Sequence, residues 1–325
     1  MDVLSDVLRV ARLSGGVFLR AEFSHPWCVA SQMVPEVCAP YLGPSNHLIQ
    51  YHFIVSGEPW VAVAGEPASA VRLQPNEVVI FPHNDLHVLG SDLRLDPINS
   101  AEVAEPDGDG LYRVRYGGGG DEVRMICGWL GCDFARGNPV IANLPRLLHL
   151  PMGEGGEADW IRSTFQYAAH EIASGRPGSA TVLAKLSELL FIEAVRRYVA
   201  DLPEESSGWL AALRDPFVAR AIGLFHADIR RDWTIEGLAR EVGLSRSALG
   251  ERFQRLVGVA PIGYLGQWRM QVAAQKLSNT GATLAQIADD VGYESEAAFS
   301  RAFKKSRGAA PATWRRRQGE GRDTG

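Results

Sequence analysis

The four cysteines of the chain lie in its first 150 residues, near histidines, and such a set could bind a soft metal ion or act as a thiol switch. The spacings of ten and five residues within the two cysteine pairs do not match a zinc-knuckle signature. Small, buried and unreactive cysteines are the third interpretation, and the sequence leaves all three open. The candidate residues are Cys28, Cys38, Cys127, Cys132, His52, His83 and His87.

A second group of candidate residues is basic and lies near the end of the chain. From residue 210 onward the sequence holds 18 Lys and Arg against 12 Asp and Glu, whereas the preceding residues hold 15 against 26. The formal net charge of −5 therefore conceals a basic C-terminal part beside an acidic N-terminal part. This division favours one domain that meets a polyanion. The relevant side chains are Arg246, Arg252, Arg255, Arg301, Lys304 and Lys305.

The segment that carries these basic residues repeats itself. Residues 234–243 align with 283–292 at an offset of 49 residues. After one inserted residue, three positions match at an offset of 50, namely Phe253, Gly258 and Pro261 with Phe303, Gly308 and Pro311. The span 262–278 between the copies predicts one helix that fixes their separation.

Each copy predicts a short helix, a glycine turn and a second helix. The N-cap candidates are Thr234, Ser245, Thr283 and Ser295, with Gln286 completing a capping box. Gly243 and Gly292 stand where a left-handed residue ends a helix. This is the helix-turn-helix plan, whose second helix enters the major groove of DNA. A purely structural repeat is the alternative, and the basic second helices favour DNA binding.

The repeated segment resembles the arabinose-regulator (AraC/XylS) family of bacterial regulators. The resemblance rests on Trp268-Arg269-Met270 and on the run Ile287-Ala-x-x-Val-Gly-Tyr-x-Ser-x-x-x-Phe-Ser-Arg-x-Phe-Lys304. It implies that the two second helices enter successive major grooves on one face of double-stranded DNA. It also implies RNA polymerase as a partner.

The same resemblance implies which positions face the bases. Arg301 suits a bidentate contact to guanine, and Glu251 could accept a hydrogen bond from cytosine N4. Lys304 and Arg255 are expected to hold phosphates. Gly250 offers no side chain, so we expect the first unit to read sequence less strongly than the second. The implied base-facing positions are Arg246, Ser247, Gly250 and Glu251 in the first unit, and Glu296, Ala297, Ser300 and Arg301 in the second.

The first 150 residues predict short strands separated by turns, which is typical of a sandwich or barrel. The predicted strands are residues 47–55, 60–63, 71–73, 77–81 and 123–127. Residues 96–121 are rich in Asp, Pro and Gly and are predicted to be a mobile loop.

The stretch 73–82 followed by His87 resembles the second motif of the cupin sensor domains found in some members of this family, with Asn76 where that motif has Gly. The His-x-His motif of enzymatic cupins is absent. His47 and His52 are separated by an odd spacing, which places them on opposite faces of a strand.

The predicted fold class is α+β. Residues 1–150 are expected to form a cupin-like barrel or sandwich with accessory helices, and 151–200 a helical segment for dimerisation. In that segment, 158–174 and 181–200 are the candidate helices. A linker at 201–208 then leads to an all-α DNA-binding domain at 209–325, with units at about 234–257 and 283–306.

Two function hypotheses follow. The first is a transcriptional regulator that responds to an unknown small-molecule or redox effector. The second is a metal-dependent cupin enzyme fused to a DNA-binding domain. No required cofactor is expected, although a metal ion in the N-terminal domain stays open. The sequence lacks a run of about 18 apolar residues, so we expect no membrane partner. We expect a cytoplasmic homodimer.

Overall fold

The computed structural model describes residues 3–11, 13–34, 47–106, 112–132, 138–151 and 178–320, with residues 159, 160, 163, 164, 167, 168, 171 and 176. The chain divides into two compact units. A sheet unit comprises Leu13–Asp133 and Leu144–Tyr198. A helical unit comprises Met1–Arg12, Phe134–Asn143 and Val199–Gly325. The domain boundaries stated above stay predictions.

The described strands belong to the sheet unit and form two sheets. The strands are β1 (Leu13–Ser24), β2 (Cys28–Ser31), β3 (His47–Ser56), β4 (Trp60–Val63), β5 (Val71–Arg72), β6 (Val78–Phe81), β7 (His87–Gly90), β8 (Ile98–Asn99), β9 (Ala104–Pro106), β10 (Tyr112–Gly117), β11 (Glu122–Cys132) and β12 (Leu148–Leu150). One sheet has the order β12-β6-β3-β11-β1-β10-β9, and the other has the order β5-β4-β7-β2-β8.

The described helices lie in both units. They are α1 (Val3–Ala11), α2 (Pro139–Ala142), α3 (Ser179–Asp201), α4 (Trp209–Ala212), α5 (Pro216–Ala227), α6 (Ile235–Val242), α7 (Arg246–Val257), α8 (Pro261–Asn279), α9 (Leu284–Asp290), α10 (Glu296–Arg307) and α11 (Pro311–Glu320). The described residues between 159 and 171 are also helical, and the rest of the predicted helix 158–174 lies outside the described residues. No helix in the described ranges is long and apolar enough to cross a bilayer.

Side chains from both sheets meet in one apolar core, which makes the sheet unit a sandwich. Phe23 of β1 and Met125 of β11 come from the larger sheet, while Val29 of β2 and Leu89 of β7 come from the smaller one. All four are nearly inaccessible to solvent. The predicted cupin-like fold class is confirmed in its sandwich form.

The outer face of the larger sheet is also covered, because α3 packs on it. The alternation of β3 turns Ile49 and Tyr51 outward, where they meet Leu190 and Phe191 of this helix. The Tyr51 hydroxyl lies 3.0 Å from Ser187 Oγ, so the buried phenol has a hydrogen-bond partner. The predicted helix 181–200 is thus present, and its inner side belongs to the core.

The prediction of a loop over residues 96–121 is wrong. The segment contains β8, β9 and β10, with residues 107–111 outside the described part. Strand β10 pairs in parallel with β1, from Leu19 opposite Tyr112 to Ser24 opposite Gly117. Backbone pairing to a strand about ninety positions away therefore outweighs a local composition that favours turns.

Asn76 adopts the conformation expected of the glycine that it replaces in the cupin motif. Its φ angle is 71°, in the left-handed region that asparagine tolerates better than most residues. Its N–H donates to the carbonyl oxygen of Ile54 at 2.7 Å. The departure from the motif therefore preserves the turn.

Local signals place the ends of the helices in both repeats. The hydroxyls of Thr234 and Ser245 accept hydrogen bonds from backbone N–H groups at 3.0 and 3.2 Å, as do those of Thr283 and Ser295, both at 3.2 Å. The reciprocal bond from Thr283 N–H to Gln286 completes the predicted capping box. Four of the orphan helix N–H groups are thereby satisfied.

Helices from the start and the middle of the chain also belong to the helical unit. Helix α1 packs on α5, and α2 packs on α4. The side chain of Asn143 accepts a hydrogen bond from Trp209 N–H at 3.3 Å. The second repeat has its own apolar core, in which Ile287, Phe299 and Phe303 are fully buried.

The turn glycines of the two repeats offer a matched pair of substitutions. Gly243 and Gly292 have φ angles of 79° and 75°. A Cβ at Gly243 meets no heavy atom within 4 Å, whereas one at Gly292 lies 2.8 Å from the Arg230 carbonyl oxygen and from a guanidinium nitrogen of Arg269.

We expect Gly243→Ala to lower the free energy of unfolding by about 1 kcal/mol, the cost of a left-handed alanine. Gly292→Ala should cost roughly 1–3 kcal/mol more, because the added methyl group overlaps backbone. Urea denaturation of the full chain measures both. Equal losses in the two variants would contradict the crowding at Gly292.

Candidate nucleic-acid interface and sensor cavity

Helix α10, the second helix of the second repeat, has one buried and one exposed face. Phe299 and Phe303 anchor it in the core. The positions predicted to face DNA are exposed or half-buried, namely Glu296, Ala297, Ser300, Arg301 and Lys304. No acidic side chain of the described ranges pairs with Arg301 or Lys304. Both cations are therefore available to a polyanion.

Helix α7 has the same arrangement in the first repeat, with Leu249 and Phe253 buried. Its predicted positions are likewise exposed or half-buried, namely Arg246, Ser247, Gly250, Glu251 and Arg255. Arg246 differs from Arg301 because its guanidinium lies 2.8 Å from Glu236. Both side chains of this ion pair are exposed, so the pair is weak and Arg246 can exchange partners at small cost.

Arg252 was predicted, with the other basic residues of the repeats, to meet a polyanion, but the structure pairs it within the helical unit. Its guanidinium lies 3.1 Å from the carboxylate of Asp215. Asp215 also caps α5, where it accepts hydrogen bonds from the N–H groups of Phe217 and Val218 at 3.0 Å. Arg252 therefore ties α7 to α5.

Arg269, in the middle of α8, contacts the segment just before the first repeat. The same segment lies beside Gly292, in the turn of the second repeat. The Arg269 guanidinium donates to the carbonyl oxygens of Ile229 and Arg231 at 3.0 and 2.9 Å. Arg230 lies 2.8 Å from Asp289 of α9. The two carbonyl contacts hold α8 against the start of the first repeat, whereas the exposed Arg230–Asp289 pair adds little by itself.

The sandwich contains a partly open cavity of about 150 Å³. Most of its lining is apolar and comes from both sheets, including Phe23, Val29, Leu89 and Met125. Gln50 and His52 of β3 enter the same cavity because they share one face of that strand. Gln50 donates to the hydroxyl of Ser31 at 2.7 Å. His47 points to the other face and lies 2.6 Å from the Pro82 carbonyl oxygen, as its odd spacing predicts.

A buried pair of histidines joins the two sheets. The Nε2 atoms of His52 and His87 lie 2.8 Å apart, and Nδ1 of His87 lies 2.8 Å from the Asp85 carbonyl oxygen. Burial lowers the pKa of His87 to about 4 and the pKa of His52 well below its ordinary value. Both rings are therefore neutral near pH 7.

The carbonyl oxygen of Asp85 fixes both tautomers. Since it can only accept, His87 carries its proton on Nδ1, and its Nε2 is an acceptor. His52 must then donate from Nε2, which leaves a bare lone pair on its Nδ1. This Nδ1 has no hydrogen-bond partner among the described residues.

Among the described residues, Cys28, Cys127, Cys132 and His83 do not join this pair in a metal cluster. Cys28, Cys127 and Cys132 are buried, and Cys127 lies across from His52 in β11. Burial raises the pKa of the thiols of Cys28 and Cys127. His83 lies 3.0 Å from the Leu144 carbonyl oxygen.

Cys127 and Cys132 lie on opposite faces of β11, because the register with β3 is regular between them. Cys38 lies outside the described residues. Within the described ranges, no group of three or more His, Cys, Asp or Glu side chains could hold a metal ion. The thiol-switch and metal interpretations stay predictions.

Two segments of the chain match family models. Residues 2–200 match a family described as cupin, and residues 238–317 match one described as helix-turn-helix domain. A Streptomyces lividans protein named as an AraC-like transcription regulator is 35% identical over 229 residues, which are 70% of this chain and 74% of that protein. The chain belongs to the AraC family of transcriptional regulators.

Two more relatives of this AraC-family protein cover most of its length. One from Streptomyces antibioticus, also named as an AraC-like transcription regulator, is 29% identical over 97% of this chain and 99% of its own. The regulator AlkR of Acinetobacter baylyi is 32% identical over 74% of this chain and 79% of its own. The chain is a DNA-binding transcriptional regulator, and the predicted family and function are confirmed.

Three features of this AraC-family regulator escaped the sequence analysis. The contact of His52 with His87 was missed, because β3 and β7 belong to different sheets. Gln50 and Trp129, which face the cavity, were not singled out. Every second residue of β3 from 48 to 54 lies on one face of the strand. This alternation could have identified Gln50 as a neighbour of His52.

The buried histidine pair makes stability depend on pH. In the unfolded chain both imidazoles take up protons near pH 6.5, whereas in the folded state His87 does so only near pH 4. The unfolded state therefore binds more protons in that interval, and stability is lost as the pH falls through it.

We expect the free energy of unfolding to fall by up to about 1.4 kcal/mol per pH unit for each imidazole between pH 6.5 and 4. Urea denaturation of the full chain at pH 7.5, 6.0 and 5.0 measures the slope. The variant His87→Gln should show a shallower slope. A wild-type stability that stays constant over this range would contradict the neutral pair.

Proposed function

We propose that this AraC-family regulator is effector-responsive, with α7 and α10 in successive major grooves of its operator and an effector in the cavity of the sheet unit controlling that binding. The observation that carries the DNA-binding part is the equivalence of the two helices. Each has a buried apolar face that includes phenylalanine and an exposed opposite face that includes cations. Two such faces on a rigid core suit two grooves of one duplex.

The two helices are expected to contribute unequally. Arg301 and Lys304 of α10 have no acidic partner in the described ranges, whereas Arg246 of α7 is paired with Glu236. Gly250 supplies no base contact, and its Cβ position is open. We therefore infer that α10 supplies most of the base readout and that α7 chiefly holds the backbone.

The effector part rests on the cavity and its buried polar groups. Pockets that are mostly apolar with a few convergent polar side chains are the usual sites for small ligands. The metal-dependent enzyme hypothesis has no described ligand cluster in its favour. Contact with RNA polymerase stays a prediction from the family resemblance.

A selection from random duplexes with the full chain tests DNA binding directly. We expect one enriched site whose length spans two major-groove contacts, and an affinity that falls steeply with salt as counterions are released. Enrichment of no sequence above background would overturn the proposal.

We expect Arg301→Ala to relax specificity at one base pair, with a loss of about 1–3 kcal/mol on the selected site. Lys304→Ala should weaken binding to all sequences about equally and reduce the salt slope by about 1. Binding to a panel of single-mismatch duplexes separates the two effects. Arg94→Ala, which removes an exposed cation of the sheet unit, is the control. Identical profiles for the first two variants would contradict the division of roles.

We further propose a homodimer formed through the outer side of α3. Val182 and Leu189 are 37% and 49% exposed, with half-buried Leu186 between them at helical spacing. An exposed apolar stripe beside a polar surface is typical of an interface.

Sedimentation of the full chain at micromolar concentration should show a dimer, and Leu189→Lys should shift it to monomer. Thr181→Lys adds the same charge beside the stripe and should leave the dimer intact. A wild-type monomer, or dimers in both variants, would contradict an interface on this stripe.

A further inference from the structure

The described lining of the cavity in the sheet unit offers no charge to a ligand. The 17 described residues that line it contain no Asp, Glu, Lys or Arg, and His52 is neutral there because burial lowers its pKa. An ionised group placed in such surroundings loses its hydration without gaining a partner. The lining therefore selects against charged molecules of either sign.

Three buried polar atoms of the lining lack hydrogen-bond partners among the described residues. They are the carbonyl oxygen of Gln50, Nδ1 of His52 and the indole N–H of Trp129. The parent side chains are 3%, 3% and 4% exposed. Buried polar atoms in native proteins are nearly always satisfied, so three together at one cavity point to a polar group that a ligand supplies.

The three side chains form one cluster on the larger sheet. Trp129 lies directly across from Gln50 in the β11–β3 register, and His52 follows two positions along the same face. Cross-strand neighbours have Cβ atoms about 5 Å apart, within reach of a single small group. The cluster thus stands at one place on an otherwise apolar wall.

Their chemistry specifies that group. Gln50 presents a carbonyl oxygen, and the tautomer fixed by Asp85 makes His52 Nδ1 an acceptor. Trp129 can only donate. A ligand hydroxyl has one hydrogen, so it donates to one of the two acceptors and accepts from the indole N–H, which satisfies two of the three atoms. A carboxylate can only accept, and a hydrocarbon does neither.

We propose that the cavity binds a small, uncharged and mainly apolar molecule with one hydroxyl group, which accepts from Trp129 and donates to either Gln50 or His52. This inference rests on the proposed effector role of the cavity and names the ligand class. A cavity of about 150 Å³ holds a molecule the size of benzene, so the apolar part is one ring or a chain of similar volume.

Calorimetric titration of the full chain with three ring compounds of similar size tests the class. The probes are phenol, toluene and benzoate. We expect phenol to bind at one site per chain, toluene to bind roughly tenfold more weakly because the polar atoms stay unsatisfied, and benzoate not to bind. Benzoate binding as tight as phenol, toluene binding as tight as phenol, or no saturable phenol binding would each overturn the proposal.

Two tryptophan variants locate the contact. Trp129→Phe keeps an aromatic ring but removes the donor, so phenol affinity should fall about tenfold while toluene affinity changes little. Trp27→Phe is the matched control, because Trp27 also has a buried indole N–H without a described partner but does not line the cavity. Equal effects of the two substitutions on phenol would contradict the assigned contact. Should Trp129→Phe fail to fold, the comparison of probes on the wild type still decides the ligand class.

Operator affinity measured on the same preparation separates the ligand class from the proposed function. If phenol binds but the operator affinity is the same with and without phenol, the ligand class is supported and effector control is contradicted. Operator binding without phenol binding removes the ligand class and leaves DNA recognition standing. Loss of both in a folded protein would overturn the two proposals together.

Discussion

Strand β3 is buried on both of its faces, and the arrangement of the sheet unit follows from that constraint. One face carries Gln50 and His52 into the sandwich, and the other carries Ile49 and Tyr51 against α3. A shift of one residue in register would exchange these two sets. It would place two polar side chains under the apolar side of α3 and put Ile49 and Tyr51 into the cavity. The pairing of β3 with β11 and β6 therefore determines both the packing of α3 and the polarity of the cavity.

The helical unit solves a different problem, because it must hold two exposed helices at a fixed separation. Its apolar anchors are repeated almost unchanged, but the polar ties between the repeats are not. The guanidinium groups of Arg269 and Arg252 form contacts within the unit. In the described structure, Arg246 of α7 is paired with Glu236, whereas Arg301 and Lys304 of α10 have no acidic partner.

Local features of the structure could be predicted from the sequence, and non-local ones could not. The N-caps at Thr234, Ser245, Thr283 and Ser295 depend on a few adjacent residues, so residue type and spacing identify them. The strand β10 and the Arg252–Asp215 pair depend on partners far along the chain, and composition misplaced both. For the cavity, His52 and His87 were recognised as candidates, but only the fold reveals that they contact each other. The predicted DNA-facing positions follow from the resemblance and are exposed or half-buried in the structure.

The proton positions of the histidine pair are set by a main-chain atom, the carbonyl oxygen of Asp85, and not by a side chain. The Asp85 side chain faces Arg146, with which it forms an ion pair at 2.6 Å, while its carbonyl oxygen orients His87. The neighbouring Asn84 holds this loop with a φ angle of 54° and with side-chain hydrogen bonds to the backbone of Met33. Substitution of Asp85 can therefore change the charge next to Arg146 while the main-chain carbonyl oxygen still fixes the tautomers of His87 and His52. Asn84, by contrast, is constrained by its left-handed backbone and by its hydrogen bonds to Met33, so substitution there should disturb the loop that presents the carbonyl oxygen.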